Sequence, residues 1–495
     1  MIVTEPWEIE FGTQIVKSLD NSEFEFTFMV ADHYSTLYQD KFVKSTLGGF
    51  PYTTIEKLHK KWQTRHHIFQ DDDTEFLRLW EKDNCKTRSM LELIATHQGL
   101  NGWENSRYYY KLKEREKNEI AADLIKSFES EMKNNQIEIV ISLSRRSFIS
   151  NIAFEYCLSK EIPTHTLIQT RVNHRWMFRN DFGFGTSPEY VNQICNTSIG
   201  EEAHRFKTEL ESRNSLYVSL THGLIGDIKK SLESPVRSFI QKLRITARRS
   251  VSRFLYDKKS RKYKTNKLGE NLLLLSLTEF RNLFYYFLLI ANYKRMFSSE
   301  PLQSESVAWF LHARPEDSTL VLGRGKDELE QIAQISKLVK SGELIYVKEN
   351  ALMFGVRDIN FYKKIKSLKN VRLLSPTYDN ETLLENVNRV VGVSGTVLLE
   401  AKLKGLRVYS MGEPEFIGIL DNHRYSTLES FIRQADSTQS RIENLEWRYV
   451  QWVINNSAEF HVPFLADLTC EKSRLTISDL AARLGLLLTS AGDET

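Results

Sequence analysis

Three short apolar runs, each stopping at a polar or glycine-rich corner, constrain this chain more than anything else in it. Val307-Ala308-Trp309-Phe310-Leu311 breaks at His312-Ala313-Arg314-Pro315-Glu316. Leu344-Ile345-Tyr346-Val347 ends in Lys348-Glu349-Asn350, and Val390-Val391-Gly392-Val393 runs into Ser394-Gly395-Thr396 and a helical pattern holding Glu400. Ligands of open α/β sheets bind outside the carboxyl ends of the strands, so these corners should share one rim, and that rim is the candidate site.

The spacing around the corners alternates between strand and helix. It predicts strands over 307–311, 344–348, 371–374, 390–393 and 407–411. It predicts helices over 326–340, 358–368, 381–387 and 396–404, the last ended by Gly405 at the position that favours glycine. The alternation reads as a doubly wound, Rossmann-like domain over 301–425. Residues 426–495 read as helices, ending in the amphipathic 477–488.

The first 300 residues carry a second, weaker α/β pattern with helical and basic insertions. Phe24–Val30 reads as a first strand, with Asp32 and His33 after its end. Asp32 has two readings, a cleft residue or a helix cap. Residues 55–135 read as mostly helical, with one long charged helix from Lys111 to Lys133. His66-His67 and Asp71-Asp72-Asp73 read as a solvated loop with a cap at Asp73, since adjacent helical side chains do not face each other. Ile137–Leu143, a helix over 148–160 and a strand over 164–169 form a βαβ unit. Arg145 and Arg146 sit where strand gives way to helix, a corner that suits an anion or a solvated pair. Arg171 opens a predicted loop to Gly185 in which arginines and a histidine alternate with aromatics. That composition suits a sugar or phosphate cleft, or a loop pinned by cation–π contacts.

From Arg237 to Lys267 the chain has twelve Lys/Arg and one acid, Asp257, with apolar residues at helical spacing. A basic amphipathic helix of this kind can lie on an anionic membrane surface. No recognisable nucleic-acid-binding motif accompanies it, so nucleic acid is not an expected partner. Asn271–Asn292 is apolar but interrupted by Glu279 and Arg281, which argues for a buried or amphipathic helix over a membrane span.

The length of 495 residues allows two or three domains, and the net charge of +3 names no partner. Cys85, Cys157, Cys195 and Cys470 lie far apart with no C-x-x-C pair. That argues against a structural zinc site or a disulfide framework. The opening Met1–Pro6 has neither the basic nor the apolar run of a secretory signal, so a cytoplasmic location is expected.

Two Rossmann-like domains facing a cleft, with C-terminal helices, resemble the GT-B architecture of nucleotide-sugar glycosyltransferases. The strings add to this. His312-Ala-Arg-Pro-Glu316, Tyr346-Val-Lys-Glu-Asn350, Gly395-Thr396 with Glu400-Ala401, and Met411-Gly412 resemble, in order and spacing, the capsule polysaccharide biosynthesis family. That family includes 3-deoxy-manno-octulosonate transferases. Its usual strings are H-x-Q-P-E, V-K-E-H-P, G-T-x-x-x-E-A and a strand ending in F-G. Here Asn350-Ala351 replaces the His-Pro pair, and Arg314 stands where Gln is common. The resemblance covers roughly 305–412 and implies a glycosyltransferase building a bacterial surface polysaccharide, with a nucleotide sugar as donor and a polysaccharide or glycolipid as acceptor. The alternatives are a nucleotide-sugar epimerase of the same architecture and a non-catalytic glycan-binding member.

Chemical roles follow for the corners. A leaving nucleotide phosphate builds up negative charge, so fixed donors aimed at it count most. Ser394, Gly395 and Thr396 offer hydroxyl and backbone N–H groups at a helix start, beside His312, Arg314 and Lys348. Glu349 and Asn350 complete that corner, Glu400 is suited to ribose hydroxyls, and Glu316 to acid/base work. In the first half, Asp32 is the positional candidate for the catalytic base, and Arg146 and Arg171 for substrate binding. No D-x-D-type motif stands near a strand end, so no metal and no cofactor beyond the donor substrate is expected.

Overall fold

The computed structural model describes residues 1–3, 6–19, 24–30, 46–54, 72–96, 114–143, 145, 148–173, 175–185, 187–213, 221–260, 272–298, 300–313, 322–323, 327–423, 425, 427–433, 443–459 and 471–492. Its strands are β1 (Ile2–Val3), β2 (Phe28–Val30), β3 (Tyr52–Thr54), β4 (Val140–Ser142), β5 (Thr164–Gln169), β6 (Arg175–Arg179), β7 (Ser306–Phe310), β8 (Leu344–Lys348), β9 (Val371–Leu374), β10 (Arg389–Gly392), β11 (Arg407–Ser410) and β12 (Ala458–Glu459). They form two sheets, ordered β12-β6-β5-β4-β1-β2-β3 and β11-β10-β7-β8-β9. All pairs of the second sheet are parallel. In the first, β5 through β3 are parallel and β6 and β12 add an antiparallel edge.

Each sheet contains the same parallel unit, with its first strand in the centre and the next two strands on one side of it. The order then reverses to the other side, which is the Rossmann arrangement. The second domain shows why the sequence folds this way. Strand β7 is buried along its whole length, and its residues alternate between two cores. Val307, Trp309 and Leu311 pack with Ile332, Ile335 and Tyr362 on one face. Ala308 and Phe310 pack with Leu398, Leu399 and Val450 on the other. A strand with helices on both faces has no polar side, hence its unbroken apolar run.

Side-chain caps fix the helix starts around the rim. Asp327 accepts from Leu329 N at 2.8 Å and Glu330 N at 3.1 Å, and Asp358 accepts from Asn360 N at 2.8 Å. The helix Thr396–Leu403 ends at Gly405, whose φ of +81° is the left-handed turn that residue permits. Gly405 N donates to Lys402 O and Leu406 N to Ala401 O, a Schellman closure.

Two helices and the turn after β6 in the first domain meet the loops after β7 and β11 in the second. Phe154, Phe182 and Phe184 of the first cluster with Leu322 of the second. Tyr190 Oη donates to Glu415 O at 2.7 Å. A Cβ on Gly185 would lie 2.4 Å from that same carbonyl oxygen, so the two backbones touch there. The chain then returns to the first domain. The helix Leu445–Asn456 packs beside the helix Pro188–Asn196, β12 pairs with β6, and the helix Glu471–Gly492 covers the helix Pro6–Ser18.

Five expectations need correction. The stretch after Arg171 is not all loop: Arg175–Arg179 is a strand, in which Arg179 packs its guanidinium 3.6 Å over the Tyr190 ring. The strand expected to come first, over 24–30, covers only Phe28–Val30 and follows β1, and the strand expected over 137–143 covers only Val140–Ser142, because regular pairing stops there. Asp73 lies inside the helix Asp72–Asn84 and bonds Lys126 Nζ at 2.8 Å. The C-terminal part is not wholly helical, since Ala458-Glu459 completes the first sheet. His66, His67 and Asp71 lie outside the described residues.

Candidate functional site

The switch point of the second sheet falls between β7 and β10, its first and fourth strands, where the crossing chain leaves a crevice. Two corners border it, Leu311–Ala313 after β7 and Val393–Thr396 after β10. His312 is held from behind. Its main-chain N–H donates to Glu328 Oε1 at 3.0 Å, and its ring Nδ1 lies 3.2 Å from the same oxygen. With Nδ1 turned to that carboxylate, Nε2 is the ring nitrogen left to face the crevice.

Nε2 faces the other corner. It is buried and carries no hydrogen bond, and a Cβ built on Gly395 would come within 3.0 Å of it. Gly395 is the N-cap of the helix Thr396–Leu403 and, having no side chain, makes no cap hydrogen bond of its own. An unpaired buried imidazole nitrogen beside a helix start capped by glycine makes a place where an anionic oxygen would meet several polar groups at once.

Behind His312 lies a buried charge network. Glu328 and Glu349 are fully buried and Arg357 is 3% exposed. Arg357 Nη2 lies 3.4 Å from Glu328 Oε2, its Nε 3.2 Å from the Glu349 carboxylate, and it also donates to His312 O. Burial raises the Glu349 pKa, and the Arg357 charge with hydrogen bonds from Tyr362, Asn350 N and Arg357 offsets part of that rise. Burial opposes the charge on Arg357, but Glu349 and Glu328 outweigh it and hold Arg357 above its usual range. Glu349 therefore faces into the protein. Asn350 is also engaged locally: its side chain accepts from Leu352 N at 3.0 Å and caps the short turn Ala351–Met353.

The third side of the rim combines Lys348, Asp379 and Glu400. Lys348 is 8% exposed, and burial lowers its pKa to about 8 against the opposing pull of Asp379 and Glu349. Asp379 caps the helix Asn380–Glu385. Burial raises its carboxyl, but hydrogen bonds from Thr382 and the Lys348 charge outweigh this and hold it below the usual range. Glu400 is 4% exposed; burial pushes it up to about 7, with Lys404 opposing and Glu381 and Asp379 adding. Its Oε1 is buried without a hydrogen bond.

The structure thus brings together His312, Ser394, Gly395 and Thr396, and beside them Lys348 and Glu400. Arg171 stands apart in the first domain, half-buried after β5, with Nη1 3.5 Å from Gln169 O. Arg145, after β4, is not a solvated surface residue but 5% exposed. Asp32, His33, Arg146, Arg314 and Glu316 lie outside the described residues. Sequence reading missed Glu328, Arg357 and Asp379. Glu328 and Asp379 carry only the ordinary signal of an acid at a helix start, and Arg357 none. Among the described residues no group of His, Cys, Asp and Glu is arranged to hold a metal ion.

No protein-family model matches the sequence, and no curated protein matches it. Among solved structures, the chain is similar to UDP-GlcNAc 2-epimerase from Neisseria meningitidis bound to UDP-GlcNAc, at 10% identity over 92% of this chain and 99% of that one, with a TM-score of 0.18. It is similar to a putative UDP-N-acetylglucosamine 2-epimerase from Listeria monocytogenes at 10% identity, over 100% of this chain and 96% of that one, with a TM-score of 0.22. It is similar to the Methanocaldococcus jannaschii UDP-GlcNAc 2-epimerase in complex with UDP-GlcNAc and UDP at 11% identity, over 92% and 97%, with a TM-score of 0.21. Likenesses of this size fix neither substrate nor reaction.

Proposed function

We propose that this protein is an enzyme that acts on a nucleotide sugar, with the phosphates seated at the switch point and the anomeric C–O bond broken there. The observation that carries the reading is His312: Glu328 holds its Nδ1 side while Nε2 stands unpaired beside Gly395, the N-cap of a helix. As the bond breaks, the electron pair leaves with the phosphate oxygen. Fixed donors in a water-poor crevice stabilise that charge most where it develops. His312 Nε2 adds a polar group beside the helix N-terminus, and Lys348 adds a cation on the neighbouring strand. Glu400, buried with an unpaired oxygen, suits a ribose hydroxyl pair.

Two outcomes share this first step. In hydrolytic epimerisation the adjacent ring carbon loses its proton as the C–O bond breaks, and water then adds across the resulting double bond, so nucleotide and an altered free sugar are both released. In transfer an acceptor hydroxyl forms the new C–O bond and loses its proton. The exposed helical hairpin described below favours transfer to an acceptor carried on a lipid surface. Incubation with a panel of UDP-, GDP- and CMP-sugars, with and without a membrane-glycolipid extract, tests all of it through nucleotide release and the recovered sugar. Release that needs the extract supports transfer. Release without it, with an altered sugar, supports the epimerase. No release and no binding of any member removes the proposal.

A further inference from the structure

Helix Pro235–Ser260 and helix Leu272–Ala291 lie against each other. Phe239 and Phe287 meet edge to face between them, centroids 5.0 Å apart. The root of the pair is fixed on the second domain. Tyr286 stacks edge-on to Phe354 at 5.2 Å, and a Cβ on Gly355 would fall 2.5 Å from Tyr286 Cβ. Phe354 and Gly355 belong to the loop that follows Lys348–Asn350, so the pair stands next to the rim.

What the two helices show to solvent is unusual. On the first, Val236 (73% exposed), Ile240 (44%), Leu243 (36%) and Val251 (58%) follow one another at three-, four- and eight-residue steps and so share a face. On the second, Leu277 (54%), Phe280 (38%) and Phe284 (62%) do the same. Val236 and Leu243 flank Phe239 on its helix, and Phe280 and Phe284 adjoin Phe287 on the other. Both stripes therefore border the line of contact and lie on one outer surface. Arg237, Arg244, Arg248 and Arg249 are exposed along the first helix, and Arg281 on the second. Lys242 is already engaged, 4.7 Å over the Tyr286 ring and 4.0 Å from Asp227 Oδ2. Burying these apolar side chains in protein alone would leave the arginines to be desolvated beside them. A surface that takes hydrocarbon and cation together has acyl chains and anionic headgroups at one level.

We propose that this two-helix face docks the protein on an anionic lipid surface, lying in the headgroup layer with the rim beside it. No helix among the described residues is long and apolar enough to cross a membrane, which leaves a surface-bound mode. Five exposed arginines set the charge preference, and the seven apolar side chains set the depth. The inference stands on the hairpin alone, so vesicle binding and nucleotide turnover succeed or fail separately.

The test is flotation of the whole protein with vesicles of phosphatidylcholine alone and with one-third phosphatidylglycerol, across a salt series. Three proteins are compared: wild type, Arg237→Ser/Arg244→Ser/Arg248→Ser/Arg249→Ser, and Leu277→Ser/Phe280→Ser/Phe284→Ser. Wild type should float with the anionic vesicles at low salt and be released by high salt. Each cation contributes about fivefold to partitioning. The arginine variant should therefore bind at least about a hundredfold less, and the apolar variant should fail to float while melting at the wild-type temperature. Equal binding to neutral vesicles, or binding that both variants retain, overturns the proposal. So does a wild type that never floats but forms a dimer that the apolar variant loses, which would make the face a contact between copies of the chain.

Discussion

Glu328 Oε1 receives both the main-chain N–H and the ring Nδ1 side of His312, at 3.0 and 3.2 Å, so one carboxylate oxygen fixes the position and the orientation of that imidazole. The other oxygen of Glu328 lies 3.4 Å from Arg357, which also holds Glu349. Aim at the crevice is thus set by charges that are sealed from solvent.

Removing the central cation should expose how much rests on it. Arg357→Ala leaves two buried carboxylates without their partner, and breaking a buried pair costs about 3–5 kcal/mol. Urea unfolding should show that loss. A change below about 1 kcal/mol would mean the pair behaves as an exposed one and the network is not sealed.

Gly395→Val should abolish nucleotide binding while the protein melts normally. The Gly395 backbone, at φ −70° and ψ 154°, suits any residue, but its Cβ would stand 3.0 Å from His312 Nε2 and larger groups would fill the crevice. Titration calorimetry with UDP, GDP and CMP reads the outcome, and affinity unchanged from wild type would move the phosphate site elsewhere.

Lys348 gives the site a pH limit. Burial places its pKa near 8, so the cation is present below that pH and lost above it. Affinity for a nucleoside diphosphate should fall by about tenfold or more as pH rises from 7 to 9.5, the scale of one charge-assisted hydrogen bond. Lys348→Met should bind weakly at both ends and show a flat profile; a profile that still falls would assign the titration to another group.

Glu400 makes the opposite kind of statement, about stability. Its carboxyl is pushed from 4.5 to about 7 by burial, so between those values the folded protein holds a proton that the unfolded chain has released. The contribution to stability is full below pH 4.5 and is lost as pH rises through 7. Glu400→Gln, which cannot ionise, should match wild type near pH 4.5 and exceed it at pH 8 by about 3 kcal/mol. Denaturant melts at the two pH values measure the difference, and equal stability at both would mean that water reaches the carboxylate.

The second domain was readable because its signals are local. Apolar runs, polar corners, Asp caps and one C-terminal glycine mark every strand and helix there, and boundaries deviate by a residue or two. The first domain was harder. Arg175-Trp-Met-Phe-Arg179 carries arginines at both ends, a composition that suits a loop, but its pairing with β5 and the packing of Arg179 on Tyr190 outweigh it. Ala458-Glu459 is too short to register as a strand and exists only because β6 offers an edge. At the site, the sequence pointed to His312 and the Ser394–Thr396 turn, whereas Glu328 and Arg357, which aim the histidine, become visible only when three chain segments converge.

The return of the chain to its first domain has a consequence for synthesis. Ile477, Leu480, Leu484 and Leu488 seal Ile9, Phe11 and Ile15, and the edge strand that meets Trp176 arrives at residue 458. On a ribosome adding about 5–20 residues per second, roughly 300 residues separate the first sheet from its cover, a wait of about 15–60 s. During that interval the helix Pro6–Ser18 shows its apolar face to solvent or to a chaperone, while the second domain, whose five strands lie within one stretch of chain, can close as it emerges.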